Sequence, residues 1–302
     1  MKTQFTYNFI SKFKLANIIS IILVLASFVL IGLKGLNFGI DFKGGTLIEL
    51  RVDSNSIKIN DVRSAFSNMG LGDLNVKEFG KKGDYLIKFE KKEFDNTNTI
   101  KNIKEKVINK LGVDINFRRV EDVGPKVSSE LLNSGLIAIS LALGAMLFYI
   151  WIRFEWQFSL GSITAIFHDV LITIGIFSLL SLEVNLSIVA AVLTIVGYSM
   201  NDTVVIYDRI RENLSKYSSN TIDDISNTSI NETLSRTIIT SVTTLLALGS
   251  IFVLGGEILK GFSLAMIIGV IIGTYSSIFV ASPILKYLNV SYKSIAKDVE
   301  KN

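Results

Sequence analysis

The sequence predicts an α-helical polytopic membrane protein with six transmembrane helices and a small α+β domain outside the membrane. Of its 302 residues, 49% are hydrophobic and 19% are charged, which is too apolar for a soluble domain of this length. The apolar residues also come in long blocks, as spanning helices require. The absence of cysteine and the single histidine exclude disulfides, Cys-ligated metals and multi-histidine metal sites within the chain.

Six apolar blocks are long enough, at roughly 17–25 residues each, to cross a bilayer. The first block is too long for the core of a signal peptide, so we interpret it as a retained span. We assign an N-terminal tail and span one to 1–36, an extracytoplasmic domain to 37–127 and spans two to six to 128–302. A cytoplasmic loop at 207–236 and a cytoplasmic C-terminal tail complete this division. The predicted spans are 15–33, 131–152, 158–182, 186–206, 238–254 and 262–285.

Positive charges in the short loops predict the orientation. They cluster at the N-terminus, after spans two and four, and after span six, and these positions all fall on one side of the membrane. By the positive-inside rule that side is the cytoplasm, so both termini are cytoplasmic and the large loop is outside. The net charge of +4 therefore indicates orientation rather than nucleic-acid binding. The residues are Lys2, Lys12, Lys14, Arg153, Arg209, Arg211, Lys216, Lys286, Lys293, Lys297 and Lys301.

The loop between spans one and two has the pattern of a folded domain. Alternating residues predict strands, and apolar residues at helical spacing predict two helices between them. The predicted order is β-α-β-β-α-β, that of a ferredoxin-like sandwich. The elements are a strand at 46–52, a helix from Asn60 to Gly70, a hairpin of strands at 74–79 and 85–89, a helix at 100–111 and a strand at 113–117.

The fourth span changes character at residues 197–203. Small, polar and acidic residues, among them Asn201 and Asp202, interrupt a helix that is apolar on both sides. A carboxylate in a bilayer costs roughly 2.5–3.5 kcal/mol unless it is paired, protonated or wetted. We therefore interpret Asp202 as part of a proton pathway, with Asn201 in its polar neighbourhood. The alternative is a carboxylate near the helix end that snorkels to water.

Arg236 opens the fifth span and is followed by several threonines. Because spans four and five run in opposite directions, Arg236 and Asp202 are expected at similar depth. Arg236 is then either the partner of Asp202 or an interfacial anchor, and the sequence leaves both open. The threonine hydroxyls favour the first, since they would line the interior of the bundle.

His168 and Asp169 form a second polar pair in the third span. At about 1.5 Å per residue, Asp169 lies roughly 16 Å into the span, near the membrane midplane. This depth suits a proton relay or the wall of a water-filled cavity. It suits a polar contact between helices equally well, and both interpretations stay open.

A glycine-rich segment follows the first span but lacks the residue order of a phosphate-binding loop. We interpret it as a tight reversal into a strand, in which glycines supply backbone freedom and Asp41 caps backbone groups. The pair before the second span predicts a rigid helix start. These candidate hinge and structural residues are Gly39, Asp41, Phe42, Gly44, Gly45, Thr46, Gly124 and Pro125.

Four stretches together carry a resemblance to a known family: 38–46, 123–128, 168–170 and 197–213. With six spans and one outer domain, they resemble the SecF family of bacterial protein-export membrane subunits, in the SecD/SecF group of the RND-like superfamily. SecD members have related motifs but a much larger outer region, so the size of the loop favours SecF. The long stretch in span four is the most specific of the four.

The resemblance implies a function. SecF subunits pair with SecD in a twelve-helix, RND-like assembly, and they work with the SecYEG channel and the SecA motor, often with YajC. They use the proton-motive force to assist late translocation of unfolded polypeptides across the bacterial plasma (inner) membrane. The family's proton-transporting acid and arginine fall on Asp202 and Arg236, alongside an acid from SecD. Membrane lipid is implied as the surroundings, and no enzyme activity or cofactor is implied.

Three other classes remain open. Half of an RND-type drug or lipid exporter would need a substrate path and typically a larger outer domain. An intramembrane aspartyl protease is suggested by Tyr207-Asp208, but its second motif, Gly-x-Gly-Asp, is absent. The third class is a purely structural scaffold for SecD.

Overall fold

The computed structural model describes residues 6–53, 57–67, 69–90, 96–217, 219–292 and 294, without the side chains of 96–100, 257 and 258. The chain divides into two units. The helical unit comprises residues 1–37, 138–183 and 187–302, and the α+β unit comprises residues 38–137 and 184–186. Of the charges used for orientation, Lys2, Lys293, Lys297 and Lys301 lie outside the described residues.

Helices dominate the chain. The elements are α1 (Ile10–Lys34), β1 (Asn37–Phe38), α2 (Ile40–Lys43), β2 (Gly45–Val52), α3 (Ile59–Ser67), β3 (Leu74–Glu78), β4 (Asp84–Phe89), α4 (Asn96–Leu111), β5 (Ile115–Val123), α5 (Pro125–Arg153), α6 (Trp156–Leu179), β6 (Glu183–Val184), α7 (Leu186–Lys216), α8 (Ile222–Leu254), α9 (Gly256–Ser276), a π-helical segment (Ser277–Ala281) and α10 (Ser282–Tyr287).

Six helical runs in the described residues are long and apolar enough to cross a membrane, as predicted. They are α1, α5, α6, α7, α8 and the continuous run from α9 to α10. About half of the apolar window is buried in α6, α7 and the last run, but far less in α1, α5 and α8. The helices α6 and α7 and the run from α9 to α10 therefore form the centre of the bundle, whereas α1, α5 and α8 present apolar surface outward.

The connection at 207–236 between the fourth and fifth spans is mostly helical. Residues 207–216 continue α7 and residues 222–236 begin α8, so only a short break separates the two helices. The physical reason is burial: Ile210 and Leu214 of α7 share one apolar cluster with Ile225 and Ile230 of α8. Apolar residues at helical spacing thus stabilise helix well beyond the apolar blocks themselves.

Glycines bring the central helices into close contact. A Cβ atom built on Gly175 of α6 would lie 2.3 Å from the Ser27 hydroxyl oxygen of α1, and one on Gly269 of α9 would lie 2.3 Å from Ile195 of α7. No real Cβ atom could occupy either place. Small residues at such crossings let membrane helices pack through their backbones.

The last span is interrupted by the π-helical segment just before Pro283. Proline has no N–H and its ring clashes with the carbonyl of the preceding turn, so regular α-helical hydrogen bonding cannot continue through it. The hydroxyl of Tyr207 in α7 donates to the Ala281 carbonyl at 2.9 Å, at the end of this segment. Pro283 therefore lies inside the helical run that continues to Tyr287.

The α+β unit contains a four-stranded antiparallel sheet in the order β3-β4-β2-β5. Alternate residues of the strands pack with α3 and α4 around Phe66, which is fully buried. The β2–β5 register shifts between Glu49 and Leu50, a β-bulge opposite Arg118. A small α+β unit is therefore confirmed, and its ferredoxin-like identity stays a prediction.

Candidate functional site

The polar stretch of α7 has a buried side and an exposed side. Ser199, Asp202 and Thr203 are buried, whereas Asn201 is exposed in the isolated chain. Residues three and four apart lie on the same face of a helix, so this distribution follows directly from the spacing. Asn201 and Asp202 therefore lie on different faces of α7, about 100° apart around the helix axis.

Asp202 is 3% exposed, and its Oδ2 atom is buried without a hydrogen-bond partner in the described part of the chain. Such an unmade hydrogen bond is costly, and one in a native structure calls for an explanation. Burial at this level disfavours the alternative in which Asp202 snorkels to water. One oxygen of the carboxylate is thus free to bind a proton, a water molecule or a charged partner.

Arg236 lies on the exposed side of α8 but close enough to Asp202 to interact with it electrostatically. Among the described residues the two side chains form no direct ion pair. The acid and the base are therefore near each other, as expected, but their side chains are not in direct contact. Thr237, next to Arg236, is buried, as are other hydroxyl residues of α8.

His168 and Asp169 lie at the centre of the bundle, and both are buried. Asp169 Oδ1 lies 2.8 Å from His168 Nδ1, while the hydroxyls of Ser199 and Ser276 donate to Asp169 Oδ2 at 2.5 and 2.7 Å. One carboxylate thus joins α6, α7 and α9. Each oxygen of Asp169 has a partner, in contrast to Asp202, and this favours a role in holding helices together and orienting His168.

The other ring nitrogen of His168, Nε2, is buried without a hydrogen-bond partner in the described residues. The imidazole stacks on Tyr275 of α9, with ring centroids 6.1 Å apart. The Tyr275 hydroxyl donates in turn to the Ala16 carbonyl of α1 at 2.8 Å and lies 3.0 Å from the Ser20 hydroxyl oxygen. Polar side chains therefore extend across four helices, with Nε2 as an open atom that can accept or donate a proton.

The glycine-rich segment makes the predicted reversal into β2. Gly44 and Gly45 have φ values of +81° and +137°, and a Cβ atom on Gly45 would lie 2.7 Å from the Phe89 carbonyl oxygen. Only glycine fits that position without strain. Phe42 packs edge-on against Phe38, and the Thr46 hydroxyl donates to Asp122 at 2.8 Å.

Asp41 accepts a hydrogen bond from one backbone N–H, and this partner lies far away in the sequence. Its Oδ2 atom accepts a hydrogen bond from the Leu186 N–H of α7 at 2.8 Å, and the Gly39 N–H donates to the Val184 carbonyl at 2.8 Å. Pro125 is the first residue of α5, as a rigid helix start requires, and Gly124 precedes it. No spacing in the sequence indicates that Asp41 meets Leu186.

Sequence reasoning missed two residues of the buried network, Ser276 and Tyr275. Polar side chains in the last span were the available signal, but serine and tyrosine are frequent in membrane helices and carry little information alone. Within the described residues, no group of three His, Cys, Asp or Glu side chains could hold a metal ion.

Comparison with known proteins agrees with these features. A family model described as the C-terminal part of the protein export membrane proteins SecD/SecF matches residues 103–291, and one described as the SecD/SecF GG motif matches residues 29–55. "Protein translocase subunit SecF" of Rickettsia bellii is 45% identical, covering 94% of both chains. The protein of the same name from Cereibacter sphaeroides is 44% identical, covering 92% of this chain and 88% of its own.

Two solved structures are similar along nearly the whole chain. SecDF from Thermus thermophilus, described as a translocon-associated membrane protein, has a TM-score of 0.83 at 33% identity and covers 95% of this chain. SecDF in a super-membrane-facing form has a TM-score of 0.70, also at 33% identity, and covers 98%. This chain spans only 39% and 40% of those longer chains.

The fold and the site define a multi-pass membrane protein that buries ionisable side chains at the centre of its helical bundle. Within that class, the chain belongs to the SecD/SecF family of protein export membrane proteins. The curated relatives described above are SecF subunits, so it lies on the SecF side of the family.

Proposed function

We propose that this chain acts in the Sec protein-export machinery as a SecF-type subunit that pairs with SecD and uses the proton-motive force to assist late steps of translocation. The observation that carries the proton coupling is Asp202, a buried acid with one unpartnered oxygen within electrostatic range of Arg236. Buried ionisable groups in membrane helices mark ion pathways more often than they serve stability.

The proposed cycle depends on the distance between Asp202 and Arg236. When the helices hold the two apart, an acid in an apolar interior favours its protonated form; when they approach, the arginine favours the carboxylate and the proton leaves. Each charge that crosses the membrane releases about 2.3 kcal/mol per 100 mV, enough to bias a conformational change. Hinges at residues 35–45 and 123–126 would pass that change to the α+β unit.

Further residues belong to the same proposal. His168 joins the pathway through Nε2, while Asp169 holds the opposite side of the ring. Asn201, exposed in this chain, would face the partner subunit and contribute to the path between the two proteins. An acid from SecD would complete the set of titrating groups.

The surroundings follow from the same family. The chain resides in the bacterial plasma (inner) membrane with both termini in the cytoplasm and the α+β unit outside, where it meets the unfolded polypeptide. SecYEG, SecA and YajC are the further proposed partners. The orientation is supported by three arginines in the C-terminal parts of α5 and α7, namely Arg153, Arg209 and Arg211.

The test is gradient-stimulated export in membrane vesicles that contain the complete complex. Asp202→Asn and Arg236→Ala should abolish the component of export that depends on the proton gradient, while copurification with SecD persists. Asp208→Asn is the matched control: this acid lies on the same helix but is half-exposed and pairs with Arg153 at 3.0 Å. It should export normally.

Normal gradient-stimulated export by both Asp202→Asn and Arg236→Ala would remove the proton mechanism and leave a scaffold for SecD. Transport of a drug or lipid by the assembled complex, without an effect on secretion, would instead favour the exporter class. The two residues that suggest the protease class are engaged in other contacts, since the Tyr207 hydroxyl donates to the Ala281 carbonyl and Asp208 pairs with Arg153.

A further inference from the structure

We infer that Asp41 is a positioning residue that couples α7, the helix carrying Asp202, to strand β2 of the α+β unit. This inference rests on the proposed function, since coupling matters only if Asp202 does. It gives Asp41 a specific role within residues 35–45, the segment through which the proposed function passes the movement to the α+β unit. All contacts that carry it lie within the α+β unit, to which residues 184–186 belong.

Two hydrogen bonds join the motif to the residues that lead into α7. Asp41, on the short helix α2, accepts the N–H of Leu186, the first residue of α7, at 2.8 Å. Gly39 precedes Asp41 by two residues, and Val184 precedes Leu186 by two. The Gly39 N–H donates to the Val184 carbonyl at 2.8 Å. The start of α7 is therefore held by one side-chain bond and one backbone bond from a segment about 145 residues away in the sequence.

A carboxylate suits this position for an electrostatic reason. The first N–H groups of a helix have no partner within the helix, and the helix dipole places partial positive charge there. The first turn of α7 contains no acidic residue of its own. Asp41 supplies the missing negative charge from another segment. The hydrogen bond therefore depends on the relative position of the two segments, whereas a cap from within α7 would not.

The other side of the motif lies in close contact with the sheet and with α5. A Cβ atom on Gly45 would lie 2.7 Å from the Phe89 carbonyl oxygen of β4, and one on Gly44 would lie 3.4 Å from the Ser128 hydroxyl and the Val123 carbonyl. The segment therefore rests directly on the sheet and on the first turn of α5. A displacement of Asp41 is passed to β2 rather than absorbed by a flexible loop.

An unbroken helix links the two ends of this path. Asp202 lies 16 residues after Leu186 in α7, which is about 24 Å at 1.5 Å per residue. A helix of this kind transmits a shift or rotation along its axis. When Asp202 gains or loses a proton and α7 moves, Leu186 moves with it, and Asp41 carries β2 along.

The experiment compares Asp41→Ala and Asp41→Asn in the complete complex, and measures gradient-stimulated export together with proton flux. Loss of a helix cap changes the equilibrium constant between the capped and uncapped states about fivefold. Asp41→Ala should therefore lower stimulated export by about that factor or more. Proton flux should remain within about twofold of the unmodified complex, because Asp202 and Arg236 are intact. Asp41→Asn should fall in between, since its amide oxygen still accepts the bond but carries no charge.

Asp73→Ala is the matched control, an exposed acid of the same unit, and it should leave both quantities unchanged. Full stimulated export by Asp41→Ala would overturn the inference. A parallel loss of export and proton flux in a complex that still assembles would also overturn it, because Asp41 would then act on the proton pathway itself rather than on its coupling to β2. If the alanine variant fails to assemble, the asparagine variant decides by the same criteria. Normal export by Asp202→Asn would instead defeat the proposed function itself.

Discussion

Gly161 and Tyr207 form a contact that a double-mutant cycle can measure. A Cβ atom on Gly161 of α6 would lie 2.1 Å from the Tyr207 hydroxyl oxygen, 3.2 Å from the Ala281 carbonyl oxygen and 3.3 Å from Tyr207 Cζ. The hydroxyl is held there by its bond to Ala281. Gly161→Ala therefore clashes chiefly with one oxygen atom, and Tyr207→Phe removes that atom while it leaves the ring in place.

The expected free energies follow from these distances. Tyr207→Phe loses one buried hydrogen bond, about 1 kcal/mol. Gly161→Ala overpacks a tight helix crossing and should cost about 2 kcal/mol. If the two effects were independent, the double variant would lose about 3 kcal/mol. Because the clash disappears with the hydroxyl, we expect the double variant to lose only about 1 kcal/mol, a coupling of about 2 kcal/mol.

The assay is unfolding of the purified complex by denaturant in mild detergent, with the four proteins of the cycle measured side by side. Gly144→Ala in α5 serves as the control and should be neutral, because no atom of the described residues lies within 4 Å of its Cβ position. Losses that add to within about 0.5 kcal/mol would refute the reasoning, since they would show that Gly161 and Tyr207 do not share this contact.

Two further predictions concern other parts of the chain. Gly45→Ala should destabilise the α+β unit by more than about 1 kcal/mol, because φ of Gly45 is +137° and the Phe89 carbonyl blocks the Cβ position. Gly124→Ala should be tolerated. The rate of proteolysis of the α+β unit distinguishes the two variants. Asn231→Ala should speed hydrogen exchange of the Tyr7 amide, because the Asn231 side chain bonds both the N–H and the carbonyl of Tyr7, and Asn231→Asp, which keeps only the acceptor, should have a smaller effect.

The parts of the fold that could be predicted are those with a strong local signal. Six long apolar blocks define six helices, because a bilayer leaves the backbone few other ways to satisfy its hydrogen bonds. The strands and helices of the α+β unit appear in the predicted order, because alternation and helical spacing mark them residue by residue. The extension of α7 and α8 beyond the apolar blocks was missed, since it depends on burial of Ile210 and Ile225 in one cluster.

The candidate site was predictable by residue but not by partner. A carboxylate in an apolar helix stands out in any sequence, so Asp202 and Asp169 could be named. The sequence could not show which of the two carboxylates has its hydrogen bonds satisfied, because the hydroxyls around Asp169 come from two other helices. The contact between Asp41 and Leu186 is of the same kind, since it follows from tertiary structure and leaves no pattern in the chain.

The π-helical segment at Ser277–Ala281 determines which way the end of the last span faces. A π turn holds one more residue than an α turn, and each residue rotates an α-helix by about 100°. Without that extra residue, Leu285, which is wholly buried, would be turned away from the interior by about the same angle. The last span thus accommodates one additional residue in this turn, and Leu285 stays in the apolar cluster at the centre of the bundle.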